Sequence, residues 1–211
     1  MIYSESSHPQ GSPEWFAERR KVPTGSGAKR FITPTGKYSN SQGKDSYIAE
    51  LIAAACGWVP DFDGNEHTER GNYLESEALR WLQLREGVRV RPAGFCLHES
   101  GKYGTSPDGF DEHGIPAEVK APALHTFVKW QMKGGLPDEH KAQVHFHMAV
   151  TGAPACHFIG YADSEYIDNM YVRVERDEYT EKVVEAAQKF TAELEGWQRK
   201  LTGDEYDAIF A

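Results

Sequence analysis

The chain has 211 residues, 39% of them hydrophobic and 26% charged, with a formal net charge of -9. That length suits one domain, residues 1–211, with a core large enough to need no staples. No apolar run approaches the ~18 residues that cross a bilayer, which argues against a membrane role. The acidic balance excludes a protein that simply coats nucleic acid, because phosphate binding draws on lysine and arginine. Cys56, Cys96 and Cys156 form no close pair, which excludes CxxC zinc or redox frameworks and a four-cysteine cluster. The first residues, Met-Ile-Tyr-Ser-Glu, have neither the basic start nor the apolar core of a signal peptide, so the expected location is the cytoplasm.

In chain order, Gly11 to about Arg20 reads as the start of a helix, with Ser12 as N-cap, Pro13 in the first turn and Trp15 and Phe16 as apolar residues. A Gly/Ser/Thr/Pro-rich stretch from Pro23 to Gly36 leads to an apolar helix, Tyr47 to Cys56, closed by Gly57. Residues 58–67 read as loop. Tyr73, Leu74, Ala78, Trp81 and Leu82 then recur at three-and-four spacing, which predicts a helix over 70–85 ending at Gly87.

From Val88 the period shortens. Runs at 88–90, 94–98, 103–105 and 115–120, separated by glycine and proline, predict a hairpin-rich sheet. Asp138 is placed to cap a helix through Val150 that ends at Thr151-Gly152. Strands follow at 155–161 and near 171–174. A last helix, about 178–201, carries Val183, Ala187, Phe190, Leu194, Trp197 and Leu201 every four then three positions. Its plainer use is to cover the domain's own sheet; a subunit contact is the alternative. With no internal repeat, the order of elements predicts a mixed α/β or α+β fold.

Ser106-Pro107-Asp108-Gly109, eight residues of connection and Glu118-Val119-Lys120 carry the chemistry. If 115–120 is a strand, Glu118 and Lys120 share a face, and Asp108 at the preceding turn folds back beside them. Two carboxylates and an ammonium then converge. Carboxylate oxygens with water make the octahedral site that magnesium prefers, and substrate phosphate usually completes it. Acidic residues that hold metal ions, with basic ones gathered on one surface, would reconcile phosphate chemistry with the net charge. The lysine can position or deprotonate the attacking water. The plain alternative is a type I turn followed by a solvated strand edge.

Glu75, in Arg70-Gly-Asn-Tyr-Leu-Glu75, supplies a further acid on a helix upstream, and Gln143, in His140-Lys-Ala-Gln143-Val-His-Phe-His, a glutamine on one downstream. With Gly11-Ser-Pro-Glu-Trp15 to Arg19 and Thr24-Gly25-Ser26, these pieces resemble the lambda-exonuclease or YqaJ-type viral recombinase nucleases. That family is part of the restriction-endonuclease-like PD-(D/E)xK superfamily. The likeness spans roughly residues 11–161 and implies a central mixed β-sheet flanked by helices. It implies that Asp108, Glu118 and the Val119 carbonyl bind Mg2+, with Mn2+ as a possible substitute, and that Glu75 joins them. It further implies that Lys120 orients the nucleophilic water with Gln143 in support, and that Arg19 and Ser26 hold a 5′ phosphate. Within Arg19-Arg20-Lys21 the register could slip by one, and the family's second basic residue has no unique match among Lys29, Arg30 and Lys37. The strand-separating wedge should lie near His67 to Arg70, which is polar.

The resemblance implies a metal-dependent 5′-to-3′ exonuclease on linear double-stranded DNA. It would leave 3′ overhangs for a single-strand annealing protein in phage-type recombination, acting as a ring-shaped homotrimer in a bacterial cell. The rivals are a site-specific or repair endonuclease on the same core and a catalytically inactive DNA-binding scaffold. His140, His145, His147 and His157 suggest zinc, but a His-x-His pair on a helix diverges. Trp15, Trp81 and Trp197 sit at apolar helical spacing and read as core rather than as base-stacking surfaces.

Overall fold

The computed structural model describes residues 2–59, 66–206 and 209, without the side chains of 66–70, 72 and 204. In chain order it has β1 (Tyr3–Glu5), α1 (Pro13–Arg19), a 3-10 turn (Gly25–Arg30), α2 (Gln42–Ala55), α3 (Glu66–Glu86), β2 (Val90–Pro92), β3 (Cys96–His98), β4 (Gly104–Thr105), β5 (Gly109–Asp111), β6 (Pro116–Lys120), α4 (Leu124–Lys133), α5 (Asp138–Thr151), β7 (Ala155–Gly160), β8 (Met170–Glu175) and α6 (Glu178–Thr202).

The strands form two sheets. One runs β1-β3-β4, the other β2-β5-β6-β7-β8. The runs from 88 to 120 are therefore not one meander: β3 and β4 leave to pair with β1, while β2, β5 and β6 join β7 and β8. In the larger sheet β6 and β7 are parallel, with Glu118 opposite Phe158 and Lys120 opposite Gly160, and the remaining pairs are antiparallel. A parallel pair needs a long crossover, and α4 and α5 supply it.

Three apolar layers follow from this order. Ala78 and Leu82 of α3 cover one face of the sheet at Ala117, Val119 and Ile159. Phe127 and Trp130 of α4, with Val144 and Met148 of α5, cover the other at Cys156 and Phe158. The far side of α5 then meets Phe31, α2 and α6, where the Phe31 and Phe190 rings stack at 4.6 Å. Ala142 and every residue from Val144 to Thr151 are buried, as an interior layer demands of a helix. Burying one such side chain as large as Phe190 contributes about 1.5–3 kcal/mol.

Several local expectations change. Pro137, not Asp138, is the N-cap of α5; Asp138 lies in the first turn, where its charge suits the helix dipole, and binds Lys133 at 2.6 Å. The left-handed Gly152 (φ 70°) closes that helix as expected. α3 begins at Glu66, and the rest of the expected loop at 60–65 lies outside the described residues. The α6 stripe packs on α5 and α2 rather than on the sheet. It is buried from Val183 to Leu194 but leaves Trp197 42% and Leu201 63% exposed, so Trp197 is not core. Trp15 is buried and Trp81 half-buried. β1, β5 and α4 were not legible from the pattern. No helix among the described residues is long and apolar enough to cross a membrane.

Candidate active site

Strand β6 makes the centre of the site. Its alternation turns Ala117 and Val119 to α3 and leaves Glu118 and Lys120 together on the opposite face, ion-paired through Glu118 Oε1 and Lys120 Nζ. Asp108 stands just before β5. Its amide donates to the Ala117 carbonyl at 2.9 Å, and its Oδ2 accepts from the Val119 amide at 2.6 Å. The antiparallel register of β5 and β6 thus folds Asp108 back beside Glu118, and the charge of Glu75, on α3, is felt by both.

The charges there are strongly coupled. Burial and the neighbouring Glu118 raise Glu75 to about 7, with Lys120 opposing. Asp108 is pushed well above the usual carboxylate range by burial, then by Glu118 and Glu75. Burial alone would raise Glu118, but Lys120 and a hydrogen bond to His147 outweigh it and hold it down to about 2. Burial would lower Lys120, yet Glu118 and Asp108 prevail and keep it an ammonium. Three carboxylates therefore crowd one buried spot.

Among the described residues no three His, Cys, Asp or Glu side chains are arranged as a ready metal cluster. The site nonetheless suits a hard cation on two counts. Glu118 Oε1 is buried and meets positive charge, that of Lys120, instead of a neutral donor, and the mutual repulsion of Glu75, Asp108 and Glu118 is relieved by added positive charge. An all-oxygen donor set is the one that Mg2+ or Mn2+ takes.

Helix α5 turns His140, Gln143 and His147 towards this centre at three-and-four spacing. His147 Nε2 lies 2.6 Å from Glu118 Oε2, and its Nδ1 lies 2.7 Å from Thr105 Oγ1. Burial, then the Lys120 charge, lowers His140 to about 4, and its ring stacks on Phe158. Gln143 is half-buried; a Cβ added to Gly25 would stand 3.6 Å from its Cγ. His145 points the other way, to Thr180 at 2.8 Å. The divergence expected of a His-x-His pair is real. What sequence reasoning missed is His147 itself, whose signal is its place one turn after Gln143.

Arg19 Nη2 donates to Ser26 Oγ at 2.7 Å, and the Arg19 guanidinium lies 4.8 Å from the Trp15 ring centre. Its charge is felt by burial first, which lowers its pKa, while Tyr47, Glu118 and Asp108 favour the cation. Arg20 instead lies over the Phe16 ring. Thr24 braces the loop through Ser26 Oγ at 3.2 Å and its own amide to Tyr47 at 2.9 Å. Of the three other basic candidates, Arg30 is engaged by Glu50 at 2.5 and 2.7 Å, whereas the charge of Lys29 reaches His140. The side chains of His67 to Arg70, where a wedge was expected, lie outside the described residues.

Residues 14–154 match the YqaJ-like viral recombinase domain. The chain belongs to that family. No curated protein matches it in sequence. Among solved structures, it is similar to an alkaline exonuclease, LHK-Exo, from Laribacter hongkongensis. The two share 26% identity and a TM-score of 0.73 over 90% of this chain and 98% of that one. LHK-Exo in complex with dAMP gives 27% identity and the same TM-score and coverage. A phage related exonuclease from Haemophilus somnus 129PT is similar in fold alone, at 16% identity and a TM-score of 0.57 over 83% of this chain and 96% of that one. With this family and these neighbours, the α/β chain is a nuclease with a role in recombination.

Proposed function

We propose that this YqaJ-family nuclease is a Mg2+-dependent exonuclease that hydrolyses one strand of linear double-stranded DNA from its 5′ end. The observation that carries the reading is the convergence of Asp108, Glu118 and Lys120 in one buried centre that is electrostatically linked to Glu75 and Arg19. Asp108, Glu118 and the Val119 carbonyl would hold the ion, with Glu75 joining them. When bound, Mg2+, or Mn2+ in its place, supplies polarisation of the phosphoryl oxygen and eases ionisation of water.

Lys120, kept an ammonium by its carboxylate neighbours, orients water by donating to it, and Gln143 supports that geometry from α5. Arg19 offers a charge-assisted, fork-shaped donor set to a 5′ phosphate, assisted by the Ser26 hydroxyl. Lys29 adds a cation on the same loop. By likeness to LHK-Exo, whose complex holds dAMP, the product is a 5′ mononucleotide. The remaining 3′ overhang passes to a single-strand annealing protein. A ring-shaped homotrimer would keep DNA enclosed, which a chain of net charge -9 needs, since screening at physiological salt limits attraction to ~8 Å. Light scattering at the mass of one chain, with processive digestion, overturns the ring.

The deciding experiment digests linear duplex labelled at either end of one strand, beside a covalently closed circle. The 5′ label should be released first, only with Mg2+ or Mn2+ present, while the circle stays intact. Cutting of the circle favours the endonuclease rival, and no digestion under any divalent ion favours the scaffold.

A further inference from the structure

Beyond the carboxylates lies a buried hydrogen-bonded line that neither the family match nor the motif assigns. Glu118 is 1% exposed, His147 0% and Thr105 0%. His147 sits between the other two, its Nε2 2.6 Å from Glu118 Oε2 and its Nδ1 2.7 Å from Thr105 Oγ1. A carboxylate only accepts, so Nε2 carries the proton and donates to Glu118, while Nδ1 meets the Thr105 hydroxyl, which can both donate and accept. Thr105 has little room to move. It lies on β4, beside the Thr24–Gly104 bridge, and a Cβ on Gly25 would stand 2.8 Å from its hydroxyl.

We infer that His147 is a positioning residue for Glu118: Thr105 fixes the ring, the ring holds Glu118 Oε2, and Oε1 is thereby aimed at the cation. Such a bond removes the rotation by which a free carboxylate would exchange its two oxygens, so one oxygen always faces the centre. The line also joins the Thr24–Ser26 loop to the carboxylates through Gly25 and Thr105. Its partner is a divalent cation held by oxygen, and the inference rests on the proposed reading of Glu118 as a ligand.

The test is Mn2+ binding to the intact protein without DNA, by titration calorimetry, alongside kcat, KM for DNA and melting temperature. Loss of a group that orients a metal ligand typically weakens binding about 10–100-fold. His147→Leu should do so and lower kcat with little change in KM. His147→Gln, whose amide reaches the Nε2 position, should recover most of the affinity. Thr105→Val should weaken binding less, by a few-fold, and carries the test if His147→Leu fails to fold. Wild-type Mn2+ affinity in folded His147→Leu, or in Thr105→Val where His147→Leu fails to fold, overturns the inference, provided Glu118→Gln has lost binding. Unchanged binding in Glu118→Gln overturns the reading of the centre, and the inference with it.

Discussion

His145 and His147 sit two residues apart on α5, 2% and 0% exposed, and serve opposite sides of the molecule. At 3.6 residues per turn they diverge by about 200°. His147 meets Glu118 on the sheet side, whereas His145 meets Thr180 on α6 and lies 3.6 Å from Asp177. Helix α5 thus separates two kinds of interior. On the sheet side like charges are gathered against their own repulsion, a state that costs stability and gives chemistry. On the α6 side apolar rings pack and supply stability alone.

The sharpest break of that comparison is a neutral substitution in the charged interior. Asp108→Asn keeps an oxygen for the Val119 amide but removes a carboxylate that Glu118 and Glu75 repel. Several kcal/mol of transition-state stabilisation should vanish, ~10^3-fold or more in turnover, while melting temperature stays level or rises. Near-normal turnover, or a clear loss of stability, would refute the assignment.

On the other side the expected signs reverse. Phe190 is fully buried and stacks on both Phe31 and Tyr47, so Phe190→Ala should cost about 3–5 kcal/mol. Turnover per folded molecule, measured well below the melting transition, should hold. If turnover falls in step with stability, the two interiors are not separable.

How far the sequence reveals each side follows from the period that carries it. Glu118 and Lys120 are legible because two residues on a strand share a face, and Asp108 because a Pro-Asp-Gly turn precedes that strand. His147 is not legible by that route, since its partner Glu118 lies on a strand far away in sequence and its visible neighbour, His145, suggests a different chemistry. Arg19 and Ser26 were placed by family likeness; nothing in their spacing alone links a helix end to a loop. The apolar stripe of α6 was legible, but its end was not. Past Leu194 the stripe turns outward: Trp197 is 42% and Leu201 63% exposed, while Gln198 takes the buried position. β1 and β5, three residues each, are too short to show a period and exist because neighbours pair with them.

Acid offers a milder probe of the α6 side. Burial lowers His145 to about 4 from its ordinary 6.5, with Asp177 opposing and Lys141 assisting. The unfolded chain then binds the proton more readily, so stability falls as pH drops from 6.5 towards 4 and is fully present above that window. His140 shifts in the same sense. For His145 alone the full shift corresponds to about 3–4 kcal/mol at most, reduced by solvent screening. Denaturant unfolding of His145→Gln should show a shallower pH dependence than wild type across that window. An identical slope would mean that His145 is not buried as a neutral ring.

The smallest expected effect compares two adjacent arginines. Arg19 bonds Ser26 and is electrostatically linked to Glu118 and Asp108, while Arg20 lies over Phe16. The difference follows from the helix turn, which swings neighbouring residues about 100° apart. Under the proposed function a 5′-phosphorylated end should be digested faster than a 5′-hydroxyl end, because a charge-assisted pair to phosphate adds about 1.5–3 kcal/mol over none. That is roughly a ten- to hundred-fold preference. Arg19→Ala should erase it, Ser26→Ala should reduce it, and Arg20→Ala should leave it in place with only a weaker general hold on DNA. Arg19→Lys should restore little, since an ammonium lacks the fork and the planar contact with Trp15. Loss of the preference in Arg20→Ala but not in Arg19→Ala would move the phosphate site by one residue and leave the Arg19–Ser26 bond as a brace for the loop.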